Sequence, residues 1–273
     1  MNDRDCDDVA QRLAAIAIEA GRILRRYQAA PPGRRLKDDG SPSTAADTEA
    51  EVLILARLES AFPGIPAIAE ETANAEKPAR RFFLVDPLDG TRDYLNGSDE
   101  YTVNVALIEG DRPIAAAVAA PGTARVWSAG ASVREGAIPE HGTTVTWRPV
   151  AVRRATDEGL VALVSRLHGD PATDACLSSL SIGTRRSASS ALKFCLIASG
   201  EADVYVRCGP TMEWDTAAGD HVLTRAGGGV IGPGGAPLTY GHEDRGYGNP
   251  PFAALGDLAL AKRLSLPAAA ARG

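Results

Sequence analysis

The sequence has few residues that could form disulfides or a structural zinc site. Its four cysteines (Cys6, Cys176, Cys195 and Cys208) form no C-x-x-C pair, and its four histidines are scattered with no H-E-x-x-H motif. A zinc-stabilised or disulfide-rich small fold is therefore excluded. We expect a reduced intracellular protein.

Long apolar runs are also missing. No stretch approaches the roughly 18 apolar residues of a membrane-spanning helix. The amino terminus is acidic, without the basic region and apolar core of a signal peptide. These features predict a cytoplasmic protein with no integral membrane segment.

Positive charge is not in excess either. The chain has 29 Lys and Arg against 35 Asp and Glu, a formal net charge of −6, and no basic stripe. We therefore expect no nucleic-acid partner. An anionic small molecule could still bind, provided that metal ions or a few local cations neutralise it. With 273 residues, 44% of them hydrophobic, the chain can bury a large core as one domain or two intimate ones.

The most informative stretch runs from Arg81 to Tyr94 and reads Arg-Phe-Phe-Leu-Val-Asp-Pro-Leu-Asp-Gly-Thr-Arg-Asp-Tyr. Its apolar start predicts a buried strand. The strand ends in Asp86 and Asp89, and Pro87 restricts the backbone between them. Carboxylates at a strand end, beside backbone N–H groups, are suited to holding divalent cations against a phosphate. A lone D-x-x-D, however, is more often an acidic turn that caps a strand.

A second candidate is Asp47, in the first turn of a predicted helix that Ser43 or Thr44 would cap. The alternative is that Asp47 only interacts favourably with the helix dipole. The predicted apolar stripe of this helix consists of Val52, Leu55, Leu58 and Phe62.

Two further segments offer acids. A short predicted strand, Ile65 to Ala69, leads directly into Glu70-Glu71, which makes at least one of the pair a candidate ligand. Adjacent acids are otherwise usually surface charge. Asp215 follows Trp214 at a predicted helix start, where it could be an N-cap or a further carboxylate of the Asp86 and Asp89 site.

Serines and a lysine precede another predicted helix in the stretch from Ser187 to Cys195. Hydroxyls at a helix start, together with the Lys193 ammonium, would suit a phosphate group. An ordinary serine cap and a solvated lysine are the alternative.

The element pattern changes along the chain. A first helix, Asp8 to Ala29, and the helix after Thr44 accompany a mostly antiparallel sheet, whereas strands alternate with helices in the second half. We predict two packed halves, 1–145 and 146–273. The main predicted elements are strands Thr102–Glu109, Arg112–Ala120, Arg125–Ala129, Thr143–Val152, Leu160–Ser165 and Ala202–Val206, and helices Pro171–Leu180, Ser190–Ser199 and Asp215–Ala226.

Taken together, these motifs resemble the inositol monophosphatase superfamily of lithium-sensitive, magnesium-dependent phosphatases. The strings that carry the resemblance are Glu70-Glu71, Asp86-Pro-Leu-Asp-Gly-Thr91 and Trp214-Asp-Thr-Ala-Ala-Gly219. Within the superfamily the chain looks most similar to the bacterial CysQ type, the 3'(2'),5'-bisphosphate nucleotidases. The strings pointing to that type are Lys37-x-Asp39-x-Ser41-Pro42-x-x-Ala45-Ala46-Asp47, Asp86–Asp93, Tyr101–Ile108, Leu192-Lys-Phe-Cys195 and Gly209-Pro-Thr211.

The resemblance extends from the first helix to about Phe252. It implies a layered α-β-α-β-α sandwich of the α/β class. The Pro- and Arg-rich segment before Lys37 and the tail after Phe252 depart from the CysQ pattern, and neither includes a motif residue.

The resemblance also implies site roles. Two Mg²⁺ ions, with a third as an alternative, would be held by Glu70, Asp86, the Leu88 carbonyl, Asp89 and Asp215. Thr91, with Asp47 behind it, would orient and activate the attacking water beside Glu70. Glu71 is the weaker candidate of its pair as a direct metal ligand and would instead reach a water or the third, weakly held ion. Substrate contacts would come from Asp89, Gly90, Thr91, Ser189, Ser190, Lys193 and Asp215.

The implied reaction is hydrolysis of a phosphate monoester by metal-activated water. For the CysQ type it converts 3'-phosphoadenosine 5'-phosphate, a by-product of sulfur metabolism, to AMP and phosphate. One alternative is an inositol-1-monophosphatase or a related sugar or histidinol phosphatase. Another is a non-catalytic regulator that binds a phosphorylated metabolite. A homodimer, or peripheral attachment at the cytoplasmic face of the inner membrane, is compatible with this resemblance.

Overall fold

The computed structural model describes residues 2–29, 35–36, 42–72, 77–154, 159–165 and 170–268. The helices are α1 (Asp3–Ala29), α2 (Ala45–Ala61), α3 (Thr91–Leu95), α4 (Pro171–Ser178), α5 (Leu192–Ala198) and α6 (Glu213–Arg225). The strands of the first half are β1 (Arg35–Leu36), β2 (Pro42–Ser43), β3 (Ala67–Ala69), β4 (Arg81–Asp89), β5 (Thr102–Glu109), β6 (Arg112–Ala120), β7 (Arg125–Ala129), β8 (Val133–Ala137) and β9 (Trp147–Pro149). Those of the second half are β10 (Leu160–Val164), β11 (Ile182–Ser187), β12 (Val204–Arg207), β13 (Gly229–Ile231) and β14 (Phe252–Leu255). Lys37, Asp39 and Ser41 of the predicted motif lie outside the described residues.

The first half builds a seven-stranded sheet in the order β3-β4-β5-β6-β7-β8-β9. Only the β3–β4 pair is parallel, and the other neighbours are antiparallel. The mostly antiparallel sheet is therefore confirmed. The predicted strand Thr143–Val152 is wrong in extent, because only Trp147–Pro149 pairs, whereas β8 was not predicted.

Strand β6 shows why the sheet is covered on both faces. Successive side chains of a strand point to opposite faces. Ala115, Ala117 and Ala119 pack with α1 and α2, while Ala116 and Val118 belong to the core shared with α5 and α6. These small side chains allow helices to approach both faces closely.

The second half builds a five-stranded mixed sheet in the order β11-β10-β12-β14-β13. The first three strands are parallel, and β14 runs antiparallel to both of its neighbours. Helices α5 and α6 lie between the two sheets, and α4 packs on the outer face of the second sheet. The layers are thus α-β-α-β-α, which confirms the predicted fold class.

Helix α2 faces the sheet differently from the prediction. The side chain of Val52, predicted to be buried, is 64% exposed, whereas Asp47 and Glu51 are buried. Turning these two acids inward, where each accepts hydrogen bonds, carries Val52 outward to solvent. The predicted stripe was therefore wrong at Val52, because polar contacts set the buried face. None of the described helices is long and apolar enough to span a lipid bilayer.

Candidate active site

A bulge in β4 brings Asp86 and Asp89 to one side of the sheet. Residues three apart on a regular strand face opposite sides. Here Asp86 pairs with Asn104 and Asp89 with Thr102, so β4 carries one residue more than β5 between the two pairs. A bulge of this kind changes the side to which later residues point. Accordingly the Asp89 carboxylate accepts from Asn104 Nδ2 at 3.3 Å, on the side where Asp86 also lies.

Two other elements deliver acids to the same cavity. Glu70 directly follows β3, and its backbone N–H donates to the Val85 carbonyl at 3.1 Å, beside the end of β4. Asp215 lies in the first turn of α6, and its Oδ2 accepts from the Met212 N–H at 2.8 Å. The cavity measures about 280 Å³. Its lining includes Glu70, Asp86, Leu88, Asp89, Gly90, Thr91, Ser189, Ser190, Lys193 and Asp215.

Four of the acids that line this cavity, Glu70, Asp86, Asp89 and Asp215, lie close enough to repel one another. Burial, followed by the charges of Glu70, Asp89 and Asp215, raises the pKa of Asp86 well above its usual range. Burial and the Asp89 charge likewise raise the pKa of Asp215. Burial raises the pKa of Asp89 as well, although the Lys193 ammonium opposes that shift. Like charges in a low-dielectric site disfavour ionisation, and cations would remove this penalty.

Asp47 lies behind Thr91. The Thr91 hydroxyl is 3.3 Å from Asp47 Oδ1 and 3.0 Å from the Leu88 carbonyl. Asp47 Oδ2 also accepts from the N–H and hydroxyl of Thr44, at 2.8 and 2.6 Å. Burial raises the pKa of Asp47 to about 6, and the Thr44 hydrogen bonds oppose the shift. Asp47 therefore completes the N-terminal capping box of α2 and also contacts a residue of the cavity.

Gly90 allows the chain to turn from β4 into α3. Its φ is 92°, in the left-handed region that side chains rarely adopt. The turn puts the Gly90 and Thr91 backbone at the cavity wall.

The predicted phosphate-anchoring residues occupy different environments. Ser189 is buried and its hydroxyl donates to Asp93, whereas Ser190 lies at the cavity with a φ of 56°. Lys193 is only 4% exposed, so it is not the solvated lysine of the alternative reading. Its Nζ lies 4.8 Å from the centre of the Tyr205 ring. Burial lowers the pKa of Lys193 to about 8, and the Asp89 carboxylate opposes that shift.

Comparison with known proteins places this cavity in a family. The model of the inositol monophosphatase family matches residues 5–264. The chain belongs to the inositol monophosphatase family. It is 38% identical to the 3'(2'),5'-bisphosphate nucleotidase CysQ of Escherichia coli O157:H7 over 238 residues, covering 86% of this chain and 93% of that protein. The protein of the same name from Salmonella typhimurium is 35% identical, with 84% and 93% covered.

Solved structures agree with the assignment. A crystal structure of CysQ from Bacteroides thetaiotaomicron, titled a bacterial member of the inositol monophosphatase family, superimposes with a TM-score of 0.77 at 30% identity. The match covers 91% of this chain and 97% of that one. The Thermotoga maritima IMPase has the same fold, with a TM-score of 0.72 at 19% identity and 92% of each chain covered. The protein is thus a phosphatase of the inositol monophosphatase family, whose members depend on metal ions.

The acids of the cavity suit such ions chemically. All of them offer oxygen, the donor that Mg²⁺ prefers. Among the described residues no three acidic, His or Cys side chains already surround a single point. Two observations therefore support Mg²⁺ binding at this cavity. The acids offer oxygen ligands, and the mutual repulsion of the four carboxylates would be relieved by cations.

Arg207 is a cavity residue that the sequence reasoning missed. It ends β12, and its guanidinium donates to the Pro210 carbonyl at 3.0 Å and to the Ser165 hydroxyl at 3.3 Å. Its Nε is buried and has no hydrogen-bond partner among the described residues. The sequence feature that could have identified Arg207 is its place as a basic residue at the end of a strand, just before the Gly-Pro-Thr and Trp-Asp motifs.

Glu71 is not among the described residues that line the cavity. Its carboxylate accepts from the Ser43 hydroxyl at 3.1 Å, and its N–H donates to the Glu51 carboxylate at 2.9 Å. Burial raises the pKa of Glu51. Glu51 and Glu71 thus tie α2 to the segment that carries Glu70.

Proposed function

We propose that the protein is a Mg²⁺-dependent 3'(2'),5'-bisphosphate nucleotidase that converts 3'-phosphoadenosine 5'-phosphate to AMP and phosphate. One observation carries the choice of substrate: the cavity that holds the four acids also holds the buried Lys193 and the half-buried Arg207, with the exposed Arg92 as a third cation at its wall. A substrate with two phosphates can place one phosphate at the acids that would hold Mg²⁺ and the other at Lys193 and Arg207. A substrate with one phosphate leaves Lys193 and the Arg207 Nε, which has no partner among the described residues, without a phosphate oxygen to bind.

The first phosphate would lie at the acids. In this proposal Glu70, Asp86 and the Leu88 carbonyl hold one Mg²⁺, and Asp86, Asp89 and Asp215 hold a second. Mg²⁺, when bound, supplies positive charge to the phosphate oxygens and to an adjacent water. The backbone N–H groups of Gly90 and Thr91 hold the phosphate from the other side.

Thr91 and Asp47 would take up the proton that the attacking water loses. The Thr91 hydroxyl can accept a hydrogen bond from the attacking water while it donates its own proton towards Asp47 Oδ1, at 3.3 Å. A carboxylate with a pKa of about 6 is mostly ionised at neutral pH and is a stronger base than an ordinary aspartate. In this proposal the pair would therefore accept that proton.

The second phosphate would lie at Lys193 and Arg207, beside Ser190. The Lys193 ammonium is held over Tyr205 and the Arg207 guanidinium by the Pro210 carbonyl, so both cations are oriented before a ligand arrives. The unpartnered Arg207 Nε supplies a donor for a phosphate oxygen.

The deciding experiment measures phosphate release from 3'-phosphoadenosine 5'-phosphate and from inositol 1-phosphate, with Mg²⁺, in the presence and absence of Li⁺. We expect a strong, Li⁺-sensitive preference for the nucleotide. A preference for inositol 1-phosphate would leave the metal site standing and reject the second-phosphate subsite. No release from either substrate would reject both substrates and point to another phosphate monoester.

Substitutions separate the two subsites. Asp89→Asn and Asp215→Asn should nearly abolish release from both substrates while leaving the far-ultraviolet circular dichroism unchanged. Lys193→Met and Arg207→Gln should lower kcat/KM for the nucleotide about 10- to 100-fold, the effect of one charge-assisted hydrogen bond. Near wild-type activity in either asparagine variant would reject the metal assignment. An equal loss for both substrates in Lys193→Met and Arg207→Gln would reject the subsite.

The cytoplasmic location and the homodimer stay predictions.

A further inference from the structure

The side chain of Asn249 connects a C-terminal loop to the segment that precedes α6. Its Nδ2 lies 2.6 Å from the Met212 carbonyl, 3.0 Å from the Thr216 hydroxyl and 3.2 Å from the Thr211 hydroxyl. The Asn249 backbone N–H also donates to the Thr211 carbonyl, at 2.9 Å. Asn249 thus binds the segment just before α6, at Thr211 and Met212, and the first turn of α6, at Thr216.

These hydrogen bonds act on the peptide units beside Asp215. The peptide between Thr211 and Met212 is a rigid plane. Its carbonyl accepts from the Asn249 N–H, while its N–H donates to Asp215 Oδ2 at 2.8 Å. The carbonyl of the next peptide accepts from Asn249 Nδ2. That Met212 carbonyl also accepts from the Asp215 backbone N–H at 3.1 Å. The Asn249 side chain therefore holds the carbonyl that anchors the Asp215 backbone, while the Asn249 backbone holds the peptide whose N–H binds the Asp215 carboxylate.

The loop that carries Asn249 is itself anchored. The Glu213 N–H donates to the Tyr247 carbonyl at 2.8 Å, and Met212 and Gly248 form an antiparallel bridge. Near the start of the same loop, the buried Glu213 carboxylate lies 2.6 Å from His242 Nδ1 and accepts from the His242 N–H at 3.1 Å. The loop is thus bound to Met212 and Glu213 at three positions before Asn249, in addition to the hydrogen bonds of Asn249 itself.

We propose that Asn249 is a positioning residue for Asp215, which sets the orientation in which that carboxylate meets Mg²⁺. The inference rests on the proposed function, since it takes Asp215 to be a metal ligand. It adds a residue more than thirty positions away that touches neither substrate nor metal.

The test uses Asn249→Leu, which keeps the approximate volume and removes both side-chain donors. Asp244→Ala is the matched control, because Asp244 is an exposed residue of the same loop. Three quantities are measured for the full chain: unfolding in EDTA, Mg²⁺ affinity by calorimetry without substrate, and the Mg²⁺ dependence of nucleotide hydrolysis. Asp215→Asn is measured alongside them.

We expect Asn249→Leu to weaken Mg²⁺ binding and raise the half-activating Mg²⁺ concentration about tenfold, the equivalent of one net hydrogen bond. At saturating Mg²⁺ the KM for the nucleotide should change less than twofold, while kcat falls. Asp244→Ala should match the wild type in every measurement.

Wild-type Mg²⁺ affinity and activation in Asn249→Leu would overturn the inference, as would reduced stability in EDTA with both Mg²⁺ titrations unchanged. If Asn249→Leu does not fold, Asn249→Ala serves the same test, because it adds no bulk. Wild-type Mg²⁺ affinity in Asp215→Asn would instead overturn the metal assignment, whatever Asn249 does.

Discussion

At the scale of single residues, His221 is a buried group outside the active site whose charge matters for stability. It lies on the buried face of α6, and its Nε2 donates to the Gly130 carbonyl at 3.1 Å. Burial is the main cause that lowers the pKa of His221 from 6.5 to about 3. The folded protein therefore holds this imidazole neutral at pH values where the unfolded chain would protonate it.

The sign of the resulting pH dependence follows from linkage. Between pH 3 and 6.5 the unfolded state binds the additional proton, so the stability due to His221 is complete above pH 6.5 and is lost as the pH falls. The loss amounts to about 1.4 kcal/mol per pH unit in that window. His221→Gln keeps an N–H donor and removes the titration. We measure the free energy of unfolding in urea between pH 4.5 and 7.5. Below pH 6.5 this free energy should fall less steeply in the variant than in the wild type, by about 1.4 kcal/mol per pH unit. Parallel profiles for the two proteins would contradict the prediction.

Single residues also show how far a sequence can identify this site. Asp86, Asp89 and Thr91 were identifiable because they stand in one short, distinctive string. Arg207 and Asn249 were not, because their roles depend on hydrogen bonds between segments far apart in the chain, which a local pattern does not contain.

At the scale of elements, the contact between α5 and α6 depends on one glycine. A Cβ built on Gly219 would lie 2.5 Å from Cδ2 of Phe194. Gly219 is therefore needed for the close approach of the two helices that separate the sheets, and α6 also carries Asp215.

We predict that Gly219→Ala destabilises the protein. Overpacking a core costs about 1–3 kcal/mol, which outweighs the gain of about 1 kcal/mol that alanine gives a helix. The free energy of unfolding in urea should fall by up to about 2 kcal/mol, and the added change Phe194→Leu should recover part of the loss. A Gly219→Ala variant as stable as the wild type would show that the helices can move apart freely.

Elements with a strong pattern were predicted well. β5, β6 and β7 were predicted at their observed bounds, because their apolar residues are continuous and turns flank them. β8 and β11 were missed, since each contains charged residues and glycine that suggest loop. They become strands because a neighbouring strand pairs with them, which is information from outside their own segments.

At the scale of the whole molecule, one apolar core joins the two sheets. Side chains from β4, β5, β6 and β7, from α5 and α6, and from β12 and β14 belong to the same buried cluster. Polar contacts add to it: Arg125 binds Glu135 at 2.7 Å and Glu201 at 2.5 Å, so it links β8 to the segment after α5. Neither half can therefore leave the other without exposing the shared helices.

We predict a single cooperative unfolding transition. In Trp214→Phe the remaining tryptophans, Trp127 and Trp147, both lie in the seven-stranded sheet. Their fluorescence and the far-ultraviolet circular dichroism of the whole chain should give coincident urea curves. Two separated transitions would show that 1–145 and 146–273 are independent domains, a division that stays a prediction.

The ends of both sheets have a further consequence for how copies of this protein meet. The seven-stranded sheet ends in β3 and β9, of three residues each, and β9 closes with Pro149. The five-stranded sheet ends in the three-residue β13 and in β11, which carries the exposed Arg185 and Arg186. Short, charged or proline-terminated edges are poor templates for a strand of another molecule. Edge-to-edge aggregation is thereby disfavoured, and two copies would have to associate through helices or loops.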